Sequence, residues 1–170
     1  MLGFLFRTLT ADSNRGVASF DAITRLTREP HWYVEGKLPD TIDGRFAVLA
    51  TITALVIVRL EKDSEEGNPA AVALTERFIE VMESEHRELG LGDPALGRTV
   101  RRLVGSLARR TELWRLATEG EKDWQEAARE SLYKSGVTLS GLRHSSEATK
   151  RLWDRLERCG LSNLKEGRVE

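Results

Sequence analysis

Apolar residues along this chain recur at helical spacing, and the strict alternation that marks a half-buried strand is nearly absent. Leu2, Phe4, Leu5, Phe6 and Leu9 open the pattern as a short amphipathic helix over 2–9. Val17, Phe20, Ile23 and Leu26 continue it in a second helix that starts near Ser13 or Asn14 and stops at Pro30. The stretch from His31 through Trp32, Tyr33, Val34 and Gly36 to Pro39 holds too many turn formers for a helix. Its aromatic residues still need something to pack against, so an ordered crossing loop is expected.

A long helix follows over about 41–62. Asp40 is placed to accept the free amide hydrogens of its first turn, and Asp43 adds negative charge near the positive end of the helix dipole. From Phe46 to Leu60 the apolar residues cover most of the circumference instead of one stripe, the pattern of a helix buried on all sides. A polar loop over 63–68 then hands over to a helix that Asn68 can cap and Pro69 can begin, because a first helical position needs no donor. That helix runs to about Leu89.

Gly90-Leu91-Gly92-Asp93-Pro94 supplies a left-handed stop, a tight turn, a new cap and a proline start in succession, which predicts a helix-turn-helix. The next helix reaches about Thr118 with Leu96, Val100, Leu103, Val104, Leu107 and Trp114 on its core face. A shorter one carries Trp124, Ala127, Ala128 and Leu132 and closes at Gly136, and a last one groups Leu152, Trp153 and Leu156 before Cys159. Beyond Gly160 the tail is expected to fray. No repeat or composition break divides the chain, so the expectation is all-α: a single domain, one bundle of about seven helices around the buried helix 41–62.

Composition narrows the function classes. With 40% hydrophobic and 31% charged residues the chain lies in the globular range, and 26 basic against 27 acidic residues leave no overall field for DNA or an anionic membrane. The single Cys159 has no second thiol for a disulfide, zinc or redox pair, which fits a reducing, cytoplasmic setting. The N-terminal apolar run lacks a basic leader and reaches Asp12 early, unlike a signal peptide. The longest apolar stretch, 47–58, is shorter than the about 20 residues of a membrane span.

Catalytic chemistry finds no anchor. His31, His86 and His144 lie in separate segments with no His or Cys at ligand spacing, so no metal is expected. Asp40 and Asp43 read as cap and dipole complement more simply than as a carboxylate pair, and Cys159, without a recognisable histidine partner, reads as a surface or half-buried thiol. Gly90, Gly92 and Gly97 follow no strand and lack the Gly-Lys-Ser/Thr ending of a phosphate loop. No catalytic residue and no cofactor are expected.

Charge is distributed unevenly: residues 61–88 hold nine acidic and three basic residues, while 98–115 hold six arginines and one glutamate. Either these helices pack antiparallel across Gly90 and pair at the rim, or Arg98, Arg101, Arg102, Arg109, Arg110 and Arg115 form a cationic ridge. Such a ridge would make the chain a peripheral membrane or RNA-binding helical module. Leu2, Phe4, Leu5 and Phe6, with Arg7, suit either contact with a lipid headgroup layer or docking on the bundle.

Three blocks resemble a known family. They are Tyr33 through Pro39-Asp40-Thr41-Ile42-Asp43-Gly44-Arg45-Phe46, the hydrophobic helix ending Val58-Arg59-Leu60, and Arg87-Glu88-Leu89-Gly90-Leu91-Gly92-Asp93. In order and spacing, over about 31–117, they are similar to the ubiquinol-cytochrome c chaperone family, bacterial relatives of the mitochondrial chaperone needed for cytochrome b synthesis and assembly. Where relatives tend to show a Gly-Arg pair followed by a tyrosine, this chain has Ala108-Arg109-Arg110 and Trp114.

The resemblance implies an α-helical protein without catalytic residues that binds newly made cytochrome b, or another subunit of the quinol-oxidising complex. The ribosome exit region or the inner membrane surface would be its place of work. A client with apolar helices needs an apolar groove. Trp32, Tyr33, Val34 and Phe46 are expected to line it, with Arg45, Arg87 and Arg110 at a polar rim. Asp40, Gly44, Glu88, Gly90, Gly92 and Asp93 are assigned to the fold: Gly44 to let the crossing loop approach, Gly90 and Gly92 to adopt angles other residues resist.

Overall fold

A computed structural model describes residues 16–169, and within them eight helices and no strand. They are α1 (Val17–Thr27), α2 (His31–Val34), α3 (Ile42–Glu61), α4 (Ser64–Glu88), α5 (Asp93–Thr118), α6 (Trp124–Leu132), α7 (Leu139–Arg158) and α8 (Leu161–Lys165). The helix expected over 2–9 lies outside the described residues. None of the described helices is long and apolar enough to cross a membrane.

The all-α architecture centres on α3, as the sequence predicts. Every residue from Ala50 to Leu60 is buried, and α3 touches α1, α4, α5, α6 and α7. Polar groups on so enclosed a helix need partners. The Thr51 and Ser131 hydroxyls lie 2.6 Å apart, and the Trp114 indole donates to the same Ser131 oxygen at 3.1 Å, tying α3, α5 and α6 together. Arg59, on the last turn of α3, donates from Nε to the carbonyl of Leu156 at 2.9 Å and from Nη2 to that of Cys159 at 2.8 Å. It thereby adds a side-chain donor to the Leu156 carbonyl, which also accepts from the Cys159 amide at 3.2 Å, and caps the carbonyl of Cys159 at the C-terminus of α7.

Several local expectations are corrected. The crossing loop begins with a helical turn, α2, which drives Trp32 into the core with its indole N–H donating to Leu26 O at 2.9 Å. The cap of α3 is Thr41, whose hydroxyl accepts from the Gly44 amide at 3.2 Å; Asp40 is bonded to Arg45 instead. Gly44 does permit close approach, because a Cβ there would stand 1.9 Å from the Pro39 carbonyl oxygen. The polar stretch expected as a loop over 63–68 is the N-cap and first turns of α4, with Glu65 and Glu66 complementing the dipole, so Asn68 caps nothing and Pro69 sits inside the helix.

Gly90 has φ +87°, the left-handed stop that its position predicts, but Gly92 takes φ −72°, an angle open to any residue. Gly92 itself is the N-cap of α5, which leaves Asp93 as the first helical residue. The tail expected to fray carries α8. Leu164 and Val169 are buried, and the Ser19 hydroxyl donates to Leu164 O at 2.7 Å. Cys159, expected at or near the surface, is buried as well.

Candidate functional site

Enclosure of α3 fails near its N-terminal end. Phe46 and Leu49 are half-buried, and they form the floor of a cleft of about 1190 Å³ walled by α1, α2, the C-terminal half of α4, the middle of α5 and the end of α6. Phe78 braces this floor from behind, edge-on to Phe20 at 6.5 Å and tilted to Phe46 at 6.2 Å between ring centres. Val81, Met82 and Leu103 extend the apolar lining. At the mouth, Val34 and Ile42 are 58% and 73% exposed, although folding normally covers large apolar side chains.

The cleft's polar groups sit at two depths. On the rim, Asp40 accepts from Arg45 at 2.6 Å and Asp43 from Lys134 at 2.8 Å. These hydrogen bonds hold both carboxyl groups below the usual carboxylate range. The Tyr33 hydroxyl donates to Thr27 O at 2.9 Å, and burial pushes its pKa up. On the floor, Arg110 is 6% exposed; Nε donates to Ser131 O at 3.0 Å, Nη1 donates to the carbonyl and hydroxyl of Ser106, and the guanidinium lies 5.8 Å from the Phe46 ring centre. Burial and the neighbouring charge of Arg109 lower its pKa to about 10, which leaves it cationic at neutral pH.

Among the described residues, no hydroxyl of the cleft lining is hydrogen-bonded to a histidine or a carboxylate: Tyr33 bonds Thr27 O, Ser131 bonds Thr51 and Trp114, and Ser106 bonds Arg110. No group of three or more His, Cys, Asp or Glu among the described residues is disposed to hold a metal ion. Two of the histidines that the sequence separates do come together outside the cleft. His31 Nδ1 and His144 Nε2 lie 3.0 Å apart, and His31 Nε2 lies 2.9 Å from Glu29.

A family model described as ubiquinol-cytochrome C chaperone matches residues 34–158. The chain belongs to that family. The match runs past the 31–117 stretch that the sequence blocks mark, so α6 and α7 are part of the ubiquinol-cytochrome C chaperone unit. A solved structure, that of the Cbp3 homolog from Brucella abortus, shares the fold: its TM-score is 0.77 at 19% identity, over 98% of this chain and 94% of that one. No curated protein matches the sequence at a significant level.

Within this chaperone fold the residues expected to contact a client divide. Tyr33, Val34, Arg45, Phe46 and Arg110 all line the one cleft. Trp32 does not, being buried beneath α2, and Arg87 lies away from the cleft on α4, paired with Glu83 at 2.8 Å. Arg110 belongs to the floor and not to the rim, because Ser106 and Ser131 hold it down. Sequence reasoning missed those two serines, Gly105, which lines the cleft without filling it, and Arg28 from the end of α1. The spacing of Ser106 and Arg110, one helical turn apart, was the available signal.

The two charge-rich helices pack as a hairpin, but rim pairing between the two charge sets is confined to Arg115, which reaches Glu61 at 2.8 Å. Among the described residues Arg98, Arg101, Arg102 and Arg109 form no ion pair with a carboxylate, and all four are exposed.

Proposed function

We propose that this protein is an assembly chaperone for the ubiquinol-cytochrome c reductase complex, that it holds newly made cytochrome b, and that the cleft over Phe46 is where it does so. The carrying observation is the family match over 34–158, which spans α3 to α7 and most of the walls of an open cleft with an apolar floor. An apolar groove with a polar rim suits a helix of a membrane protein that has not yet found its partners. The chain acts by binding, at the cytoplasmic face of the membrane that receives the client, and its own side chains make and break no bonds.

Tagged protein drawn from its own cells shortly after pulse labelling should carry newly made cytochrome b. Cells lacking it should lose the haem absorbance of assembled cytochrome b. Normal accumulation of a fully assembled quinol-oxidising complex in such cells would overturn the proposal.

A second reading, a module for RNA or anionic headgroups, draws on Arg98 and Arg101, which are exposed and form no ion pair among the described residues. It predicts affinity for these polyanions that falls steeply with salt and a slope that an Arg101/Arg102 double change flattens.

A further inference from the structure

Among the ionic groups that line the cleft, the carboxylates are mostly engaged and the guanidiniums mostly are not. Asp40 is bonded to Arg45, Asp43 to Lys134 and Glu130 to Lys122, and among the described residues only Glu85 of the four is without an ion pair. Arg28, Arg102 and Arg109 have no carboxylate in salt-bridge contact among the described residues, although Arg102 still acts on Asp43 through space.

Arg110 is the extreme case. It is nearly enclosed and lines the cleft, yet its Nε and Nη1 donate to neutral oxygens, and its Nη2 has no hydrogen-bond partner among the described residues. A desolvated cation without a counter-ion is held at a cost, and the group that relieves it best is a carboxylate brought into the same low-dielectric space.

The surroundings narrow the form of that carboxylate. The charge lies deep, against Phe46, whereas the mouth carries the exposed apolar Val34 and Ile42. A lipid entering the cleft would place its headgroup at the mouth and its chains below, the reverse of this order. A helix apolar on both sides of one acidic residue fits it. The volume of about 1190 Å³ corresponds to roughly two turns of helix with side chains.

We infer that the cleft selects an apolar helical segment bearing one acidic side chain, whose carboxylate pairs with Arg110 and is flanked by Arg102 and Arg109. The inference rests on the reading of the cleft as the client seat and adds a selection rule to it.

The test uses the full chain and three helix-forming Leu/Ala peptides that differ in one central residue, Glu, Gln or Lys. Binding is followed by anisotropy and located by the methyl resonances of Leu49, Val81 and Leu103. The Glu peptide should bind at least about tenfold tighter than the Gln peptide, the scale of one charge-assisted hydrogen bond, and Lys weakest. Arg109→Glu removes the like charge that acts on Arg110 and puts a carboxylate in its place, so melting should not fall, and it should erase the Glu preference. Arg110→Met should do the same where it remains folded.

Equal binding of all three peptides with the methyl shifts intact would overturn the selection rule and leave the client seat standing. Binding that moves none of these methyls, or no binding at all, would overturn both. If phosphatidylglycerol vesicles shift these methyls and the Glu peptide does not, the arginines serve a lipid surface and the inference is wrong.

Discussion

Gly90 and Gly92 share one turn, yet substitutions at them should act in opposite directions. Gly90 has φ +87°, so Gly90→Val forces a β-branched residue into the left-handed region and should cost about 1–2 kcal/mol in a urea melt. Gly92 has φ −72° and ψ 160°, the ordinary geometry of an N-cap, and caps α5 without a side chain. Gly92→Ser supplies an acceptor for the Ala95 amide and should gain a few tenths of a kcal/mol. The sequence presents the two glycines alike; only the left-handed stop follows from position after the last helical residue. The same limit applied to Asp40 and Thr41, adjacent residues that can both cap. The choice went to Thr41 because Arg45, one turn on, holds the Asp40 carboxylate.

Between elements, the long-range polar ties were the least legible part of the fold. Arg59 bonds Asp63 one turn on, but the two carbonyls it also donates to lie 97 and 100 residues away. No local spacing shows that. Arg59→Met leaves the Leu156 carbonyl with only the Cys159 amide, takes the side-chain donor from the Cys159 carbonyl and breaks the ion pair with Asp63, so it should destabilise by about 2–4 kcal/mol, well beyond an exposed Arg101→Met control.

The contact between His31 in α2 and His144 in α7, at 3.0 Å, is another such tie, and His144 should make it sensitive to pH. Burial first, then the neighbouring His31, depresses the His144 pKa, with Arg151 adding to the effect and Glu35 and Glu147 opposing it. A base with a depressed folded pKa gives full stability above its ordinary value near 6.5 and loses it as pH falls towards the lower folded value. Urea midpoints of the wild type should therefore decline below about pH 6.5 more steeply than those of His144→Gln. Parallel curves would remove His144 from the account.

At the scale of the molecule, the buried central helix and the succession of long helices were legible because periodicity and punctuation are local signals. The cleft was legible in part. Tyr33, Val34, Phe46, Arg45 and Arg110 converge as their apolar and cationic character suggested, but Trp32 and Arg87 fall outside, because side-chain type alone cannot say which face of α2 or which end of α4 is turned inward.

Gly105 offers the sharpest separation of folding from function. It sits in the interior of α5, where glycine costs about 1 kcal/mol relative to alanine, and a Cβ there would meet nothing within 4 Å, so packing does not require it. It does line the cleft, between Arg102 and Arg109. Gly105→Leu should thus raise unfolding stability by about 0.5–1 kcal/mol while placing a side chain in the cleft proposed as the client seat. Gly97→Leu, on the same helix, equally uncrowded and away from the cleft, should give a similar gain without that obstruction. Cells carrying Gly105→Leu should then hold less haem-loaded cytochrome b than cells carrying Gly97→Leu, at equal levels of chaperone. A more stable protein that works less well is what an open cleft used for binding requires. Equal cytochrome b in the two strains would mean that the client is held elsewhere.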